Sequence, residues 1–217
     1  MKRMLIAGAS GLIGRQAAEF LAASGNDVQA LLRQQSSDLT TNITQHIGPS
    51  DTWSAMIAGL SPDVAISCLG TTMRIAGSRD AFRAVDHDLV LSFAKAARDS
   101  GARHMISVSS VGAMPASGSF YLRTKAEAEE GLQTLKFERL DIIRPGLLTG
   151  GSRPESRGGE SLGIMLAPLT DLLMLGSLSR YRSTPSAKVA RAIAALVDRG
   201  GAGRFIHEND SITALAG

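Results

Sequence analysis

Short apolar runs alternate with amphipathic stretches along most of this chain. Residues 4–7 are wholly apolar, and residues 28–32, 64–69, 104–109 and 140–144 repeat the theme, with a weaker run near 42–47 and a last one over 203–207. Runs this short predict strands, and the unbroken apolar stretch at 64–69 predicts burial on both faces. Between the runs, apolar residues recur at helical spacing. Phe82, Val85, Leu89, Phe93 and Ala96 mark a long amphipathic helix over residues 80–100, and Val189, Ile193 and Val197 mark another over 186–199. Further helices are expected over residues 15–21, 53–60 and 121–135. Regular strand–helix alternation predicts an α/β fold: a Rossmann-type, doubly wound, mainly parallel sheet with helices on both faces. No internal repeat interrupts it. The 217 residues suit one domain spanning 1–217.

Residues 150–163 break the alternation with a polar, glycine-rich loop that follows the carboxyl end of the sixth strand. Ligands bind at that edge of open α/β sheets, so a binding loop is expected, with an ordinary surface loop as the alternative. The apolar, Met-rich residues 162–178 read as a cap over a substrate pocket, an oligomer contact or core. Residues 150–180 are accordingly expected to form a small substrate-capping insertion; the oligomeric state is open, with a homodimer as the assembly that the apolar 164–175 stretch and the long helix suit.

The first strand opens directly into Gly8, Ala9, Ser10, Gly11, Leu12, Ile13 and Gly14, a G-x-x-G-x-x-G turn that leads into a helix. Glycines there let the backbone turn tightly and approach a pyrophosphate, which the N–H groups and dipole of the helix N-terminus attract. Strand before and helix after make this a nucleotide-binding signal rather than a chance glycine pattern. Farther along, Tyr121 and Lys125 stand four residues apart on one predicted helix face. An ammonium beside a phenol favours the phenolate, and a tyrosine so placed can donate or accept a proton at a carbonyl or alcohol oxygen. Ser109 and Ser110 end the strand just upstream. Either hydroxyl is a candidate to bind the same substrate oxygen.

Taken together, these residues resemble the short-chain dehydrogenase/reductase superfamily in its atypical, extended branch. The glycine turn, the serine before Tyr121 and Lys125, and Arg144-Pro145-Gly146 after the sixth strand stand in that family's order. Within that branch the chain is similar to the Tat-interacting-protein type of NAD(P)-binding oxidoreductase-like proteins. Cys68 to Thr72, Phe120 to Lys125, Leu135 to Arg139, Arg144 to Leu148 and Pro154 to Arg157 carry that likeness. The resemblance implies that Tyr121 is the general acid/base, that Lys125 tunes it and holds the nicotinamide ribose, and that Ser110, with Ser109 as rival, orients the substrate. It also implies that Cys68, Leu69, Gly70 and Thr71 border the cofactor and that Pro145, Gly146 and Leu148 lie along the nicotinamide. The extended branch carries a larger substrate domain after this point. Here the substrate pocket must be small, open or completed by another subunit.

The second strand ends in Leu31-Leu32-Arg33, and no carboxylate follows until Asp38. A dinucleotide site that prefers NAD places an acid there for the ribose 2′-hydroxyl, whereas an arginine pairs with a 2′-phosphate. Arg33, helped by Ser10, therefore predicts NADP(H). The alternative reading of Arg33 is a solvated strand end. An NADP(H)-dependent oxidoreductase acting on a small carbonyl, quinone or sugar-like molecule is the expected function. A cofactor-binding regulatory protein with little turnover is the alternative.

Composition excludes some classes. Lysine and arginine total 23 against 20 acidic residues, a net charge of +3 that is scattered along the chain, so no nucleic-acid partner is expected. No His/Cys/carboxylate cluster has metal-ligand spacing, so no metal is expected. No signal peptide and no membrane segment are expected. Cys68 is the lone cysteine, which suits a cytoplasmic protein. It reads as a small core side chain, not a nucleophile. Asp51 is expected near the adenine or as a helix N-cap. Asp86, His87 and Asp88 read as a charged helix face, His104 and His207 as strand-edge residues, and Arg74 and Arg79 as solvated arginines near the site.

Overall fold

The computed structural model describes residues 1–150 and 176–217. Strand β1 (Arg3–Ala7) leads into helix α1 (Leu12–Ala23), then β2 (Asp27–Leu32) and β3 (Ile43–Ile47). A short α2 (Trp53–Ile57) precedes β4 (Val64–Ser67), and α3 (Met73–Ala76) follows it. A continuous helical run comes next: α4 (Arg79–Arg83), a π-helical turn (Ala84–Leu89) and α5 (Val90–Asp99). The chain then passes through β5 (His104–Val108), α6 (Phe120–Thr134), β6 (Arg139–Ile143) and the two-residue β7 (Leu148–Thr149). After a 3-10 helix (Gly176–Tyr181) come β8 (Thr184–Pro185), α7 (Ser186–Leu196), β9 (Gly203–His207) and α8 (Asn209–Ala216).

Seven strands form one sheet in the order β3-β2-β1-β4-β5-β6-β9, and every pairing in it is parallel. Alternation along the strands divides the core in two. Met4, Ile6, Ala30, Ile66, Ile106 and Ile143 face α1 and α7. Leu5, Ala7, Leu31, Ala65, Met105 and Ile142 face α2, α5 and α6, where Trp53, Phe93 and Leu132 fill the layer. Each large apolar side chain so buried contributes roughly 1.5–3 kcal/mol. Both sheet faces are covered by helices, which is why the strands read as unbroken apolar runs. The doubly wound α/β fold expected from the alternation is present.

Boundaries moved in informative places. The fourth and fifth strands were expected to reach Leu69 and Ser109 but end at Ser67 and Val108, where the backbone leaves the sheet to build the loops of the carboxyl edge. Helix α2 stops at Ile57 and α7 at Leu196, short of the expected 60 and 199. Helices α3 and α8 were not anticipated: α3 buries no side chain, and α8 buries only Asn209 and Ile212, so neither shows a long apolar stripe. The expected insertion over 150–180, and with it the apolar 162–178 and 164–175 stretches, lies mostly outside the described residues. No helix among the described residues is long and apolar enough to cross a membrane.

Candidate functional site

The strand order reverses direction at β1 and β4, so the crevice beside their carboxyl ends is where an open α/β sheet receives a ligand. The glycine turn sits at that point. Gly8 has φ +85°, and a Cβ on it would stand 2.6 Å from the carbonyl carbon and oxygen of Cys68. A Cβ on Gly14 would stand 2.2 Å from the Gly8 carbonyl oxygen. The Gly11 N–H donates to that same oxygen at 3.0 Å. Gly8 and Gly14 thus admit only glycine: one lets β1 touch the β4 turn, the other lets α1 pack onto the loop. Gly11 is the N-cap of α1, which has neither a side-chain cap nor an acidic residue in its first turn. Its leading N–H groups are left for an anion. Ser10 and Gly11 are exposed beside them, Leu12 is half-buried and Ile13 anchors the helix in the core.

The other expected cofactor residues line the same edge. Cys68, Leu69, Gly70 and Thr71 leave the end of β4, and the Cys68 N–H donates to the Ala7 carbonyl at 2.8 Å. Desolvation pushes the Cys68 thiol up to about 12, so it stays protonated and is no nucleophile. Arg33 is exposed directly after β2, the strand beside β1. Pro145 is buried after β6 and accepts the Val111 N–H at 3.0 Å. Gly146 passes so close to Arg182 that a Cβ would meet its carbonyl oxygen at 2.1 Å, and Leu148 pairs with Thr184.

The serine pair is now split by its surroundings. Ser109 is buried and its hydroxyl donates to Glu129 Oε1 at 2.6 Å. Arg144 grips the same carboxylate through Nε (2.9 Å) and Nη2 (2.6 Å). The Glu129 bond holds the Arg144 guanidinium above its ordinary value despite desolvation. Ser109 is therefore committed to a β5–α6–β6 brace. Ser110 is half-buried, and among the described residues its hydroxyl holds only a long 3.4 Å contact to the Val111 carbonyl.

Tyr121 lies at the second position of α6, whose N-cap is Ser119, and its ring packs on Phe82 with centroids 5.6 Å apart. Among the described residues, none hydrogen-bonds its hydroxyl. One turn on, Lys125 is 6% exposed, and its Nζ lies 2.8 Å from Asp86 Oδ1. Asp86 itself is 1% exposed, and its Oδ2 accepts the Thr71 N–H at 2.8 Å. The expectation of a solvated charged face is thus wrong for Asp86. The buried stripe of this helical run goes through Phe82, Asp86, Val90 and Ala94, at four-residue steps, because the π-helical turn is wider than an α turn. Counting at that step was the available signal.

Other expectations fall out simply. Asp51 is exposed and does not cap α2, whose N-cap position is Thr52 without a side-chain bond. His104 and His207 are buried, not merely marginal: each Nε2 meets Asp141 at 2.7 Å. Arg79 lies 5.3 Å over the Phe120 ring. Two cavities of about 460 and 500 Å³ lie elsewhere: one by Lys188 and Asn209, the other at the amino ends of the strands by Lys2 and Arg139. Neither is lined by the glycine turn, Tyr121 or Lys125. Among the described residues, the candidate site is defined by topology and close glycine packing.

Comparison with known proteins agrees with this geometry. A family model described as NAD(P)H-binding matches residues 8–200. The mitochondrial protein fmp52 of Emericella nidulans is 44% identical over 117 residues, covering 53% of this chain and 50% of that protein. Protein HTATIP2 of Rattus norvegicus is 47% identical over 100 residues, covering 46% of this chain and 40% of that one. These two alignments therefore span about half of each relative or less. The Bordetella bronchiseptica enzyme WbmH, solved in complex with NAD+, shares the fold at a TM-score of 0.72 with 17% identity, over 96% of this chain and 76% of that one. The cytoplasmic expectation is corrected here, since fungal relatives at 31–44% identity are named as mitochondrial. A lone cysteine precludes an internal disulfide in any compartment, so it did not discriminate among them.

Proposed function

We propose that this chain, which belongs to the NAD(P)H-binding family, is an NADP(H)-dependent oxidoreductase of the short-chain dehydrogenase/reductase type acting on a small carbonyl, quinone or sugar-like substrate. The observation that carries the reading is the meeting of a glycine turn, packed too tightly for any Cβ at Gly8 and Gly14, with Tyr121 and Lys125 at one end of one parallel sheet. The cradle fits a dinucleotide: the N-terminus of α1, with no side-chain cap and no acidic residue in its first turn, suits a pyrophosphate. When bound, the nicotinamide supplies or accepts a hydride. Tyr121 holds the proton for the substrate oxygen at its hydroxyl. Lys125, one turn along α6 from Tyr121, would hold the ribose and favour the Tyr121 phenolate. Ser110 takes the substrate-orienting role, because Ser109 is engaged by Glu129.

The NADP preference is read from Arg33. Charge-assisted hydrogen bonds contribute about 1.5–3 kcal/mol, equivalent to roughly ten- to hundredfold in affinity. Arg33→Ala is expected to weaken NADPH binding by about that factor while NADH affinity stays put, measured by calorimetric titration. An unchanged NADPH/NADH ratio would retire the Arg33 argument.

Tyr121→Phe separates an enzyme from a binder. Proton transfer by a positioned side chain is worth about 10²–10⁴ in rate. The expected result is a turnover loss of that order with NADPH affinity within about threefold of the parent. A parent protein that binds NADPH yet reduces no carbonyl, quinone or sugar nucleotide would instead assign it a regulatory, cofactor-binding role.

A further inference from the structure

The sheet ends at β9, which pairs only with β6. Its first four residues are exposed, and two of them are large and apolar: Phe205 is 36% and Ile206 41% exposed. The Gly203 N–H donates to the Glu138 carbonyl at 2.8 Å, and the His207 carbonyl accepts the Arg144 N–H at 2.8 Å. The odd-numbered residues of β9 therefore spend their backbone groups on β6, and Arg204 and Ile206 turn theirs outward. Among the described residues nothing bonds those outward groups. Proteins blunt such an edge with proline, bulges or lysine. Here the register with β6 runs unbroken from Gly203 to His207, and the strand holds neither proline nor lysine.

We infer that β9 pairs antiparallel with β9 of a second copy, about a two-fold axis through Ile206, and so joins two seven-stranded sheets into one. A two-fold axis demands a self-complementary strand. The axis at Ile206 sets Arg204 against the second copy's Glu208, twice over, with Ile206 facing its own mate between the two ion pairs. An axis at Arg204 would set arginine against arginine, and one at Phe205 would set Arg204 against an isoleucine. Opposite residues of an antiparallel pair share a face, so the charges can meet. Both are free to do so. Within the chain Arg204 stands 3.7 Å from Glu129 and Glu208 3.9 Å from Arg144, beyond hydrogen-bond distance. Glu208 remains extended at ψ −177°, so the strand direction carries on far enough to place it opposite Arg204. The pairing uses backbone and side chains far along the sheet from the glycine turn, and it does not rest on the cofactor reading.

Sedimentation of the full chain over roughly 1–100 μM tests it, with Ile206→Lys and Ile206→Glu beside the parent. The parent is expected to form a species of twice the chain mass. Each variant alone sets like charges against each other at the axis and is expected to associate about a hundredfold more weakly. Mixing the two variants sets lysine against glutamate, and association is expected to return to within about tenfold of the parent. A parent that stays monomeric throughout overturns the inference. So does a dimer that both substitutions leave intact, which would place the contact on another surface. A mixture that associates no better than its components overturns it as well, and an Ile206→Glu protein that alone dimerises like the parent would move the axis to Phe205. Should either variant fail to fold, amide hydrogen exchange on the parent decides. The Ile206 and Glu208 N–H groups are expected to slow as concentration rises; rates independent of concentration refute the pairing.

Discussion

Gly8→Ala is expected to reduce NADPH affinity by about a hundredfold or more and to lower the melting temperature by roughly 5–20 °C. Two costs combine. Gly8 holds φ +85°, which costs an L-residue about 1–2 kcal/mol. The new methyl would also stand 2.6 Å from the Cys68 carbonyl, and relieving such overpacking costs about 1–3 kcal/mol more. For a chain of this size each kcal/mol shifts the midpoint by about 2–4 °C. Affinity suffers because the displaced backbone is the turn that aims the first N–H groups of α1, and losing two charge-assisted bonds accounts for the factor. Gly25→Ala is the matched control. It has the same sign of φ, +77°, but nothing within 4 Å of its Cβ. It is expected to cost about 1 kcal/mol of stability and no NADPH affinity. Calorimetry on both variants checks the pair. Parent-like NADPH binding by Gly8→Ala would mean the turn does not cradle the cofactor.

How much of this was legible in the sequence depends on whether a residue's role followed from its neighbours in the chain. The strands were legible because both sheet faces are covered, so Met4 to Ala7 and Val64 to Ser67 read as unbroken apolar runs. The glycine turn was legible because close approach permits only one residue type. Asp86 was passed over although it stands four residues after Phe82 and four before Val90, because a carboxylate beside His87 and Asp88 reads as part of a solvated face. The choice between Ser109 and Ser110 was open for a different reason. Glu129, which reaches Ser109 from the next helix at a separation of twenty residues, distinguishes the two hydroxyls only in the folded chain. Likewise His104, Asp141 and His207 looked like separate strand residues. Only the parallel pairing of β5, β6 and β9 brings them together. Where function depends on a long-range polar pairing, local pattern gives the residues and not the partnership.

That last cluster carries the largest expected effect on stability. Asp141 is fully buried, and four donors converge on its carboxylate: His207 Nε2 (2.7 Å) and Arg139 Nη2 (2.9 Å) on Oδ1, His104 Nε2 (2.7 Å) and Arg139 Nε (2.6 Å) on Oδ2. Arg139 extends the network to the carbonyls of Gly200 and Gly201, tying β6 to the turn before β9. Desolvation alone would raise the Asp141 carboxyl, but bonds from His104, His207 and Arg139 outweigh it and hold the group well below the usual carboxylate range. Asp141→Asn turns one acceptor into a donor facing donors and strips Arg139 of its counter-charge. Breaking a buried pair in this way costs about 3–5 kcal/mol, or roughly 6–20 °C in melting temperature for this chain length. NADPH affinity is expected to hold, because the cluster lies away from the glycine turn. The pH dependence has a definite sign. A carboxylate whose folded pKa is depressed gives its full stabilisation above its unfolded pKa of about 3.9 and loses it progressively as pH falls below that toward the folded value. The gap between parent and Asp141→Asn, read from urea midpoints, should therefore be widest near neutrality and narrow as pH drops below about 4. A gap that is absent at neutrality, or that widens in acid, would show that Asp141 is not the anionic hub of the β5–β6–β9 edge.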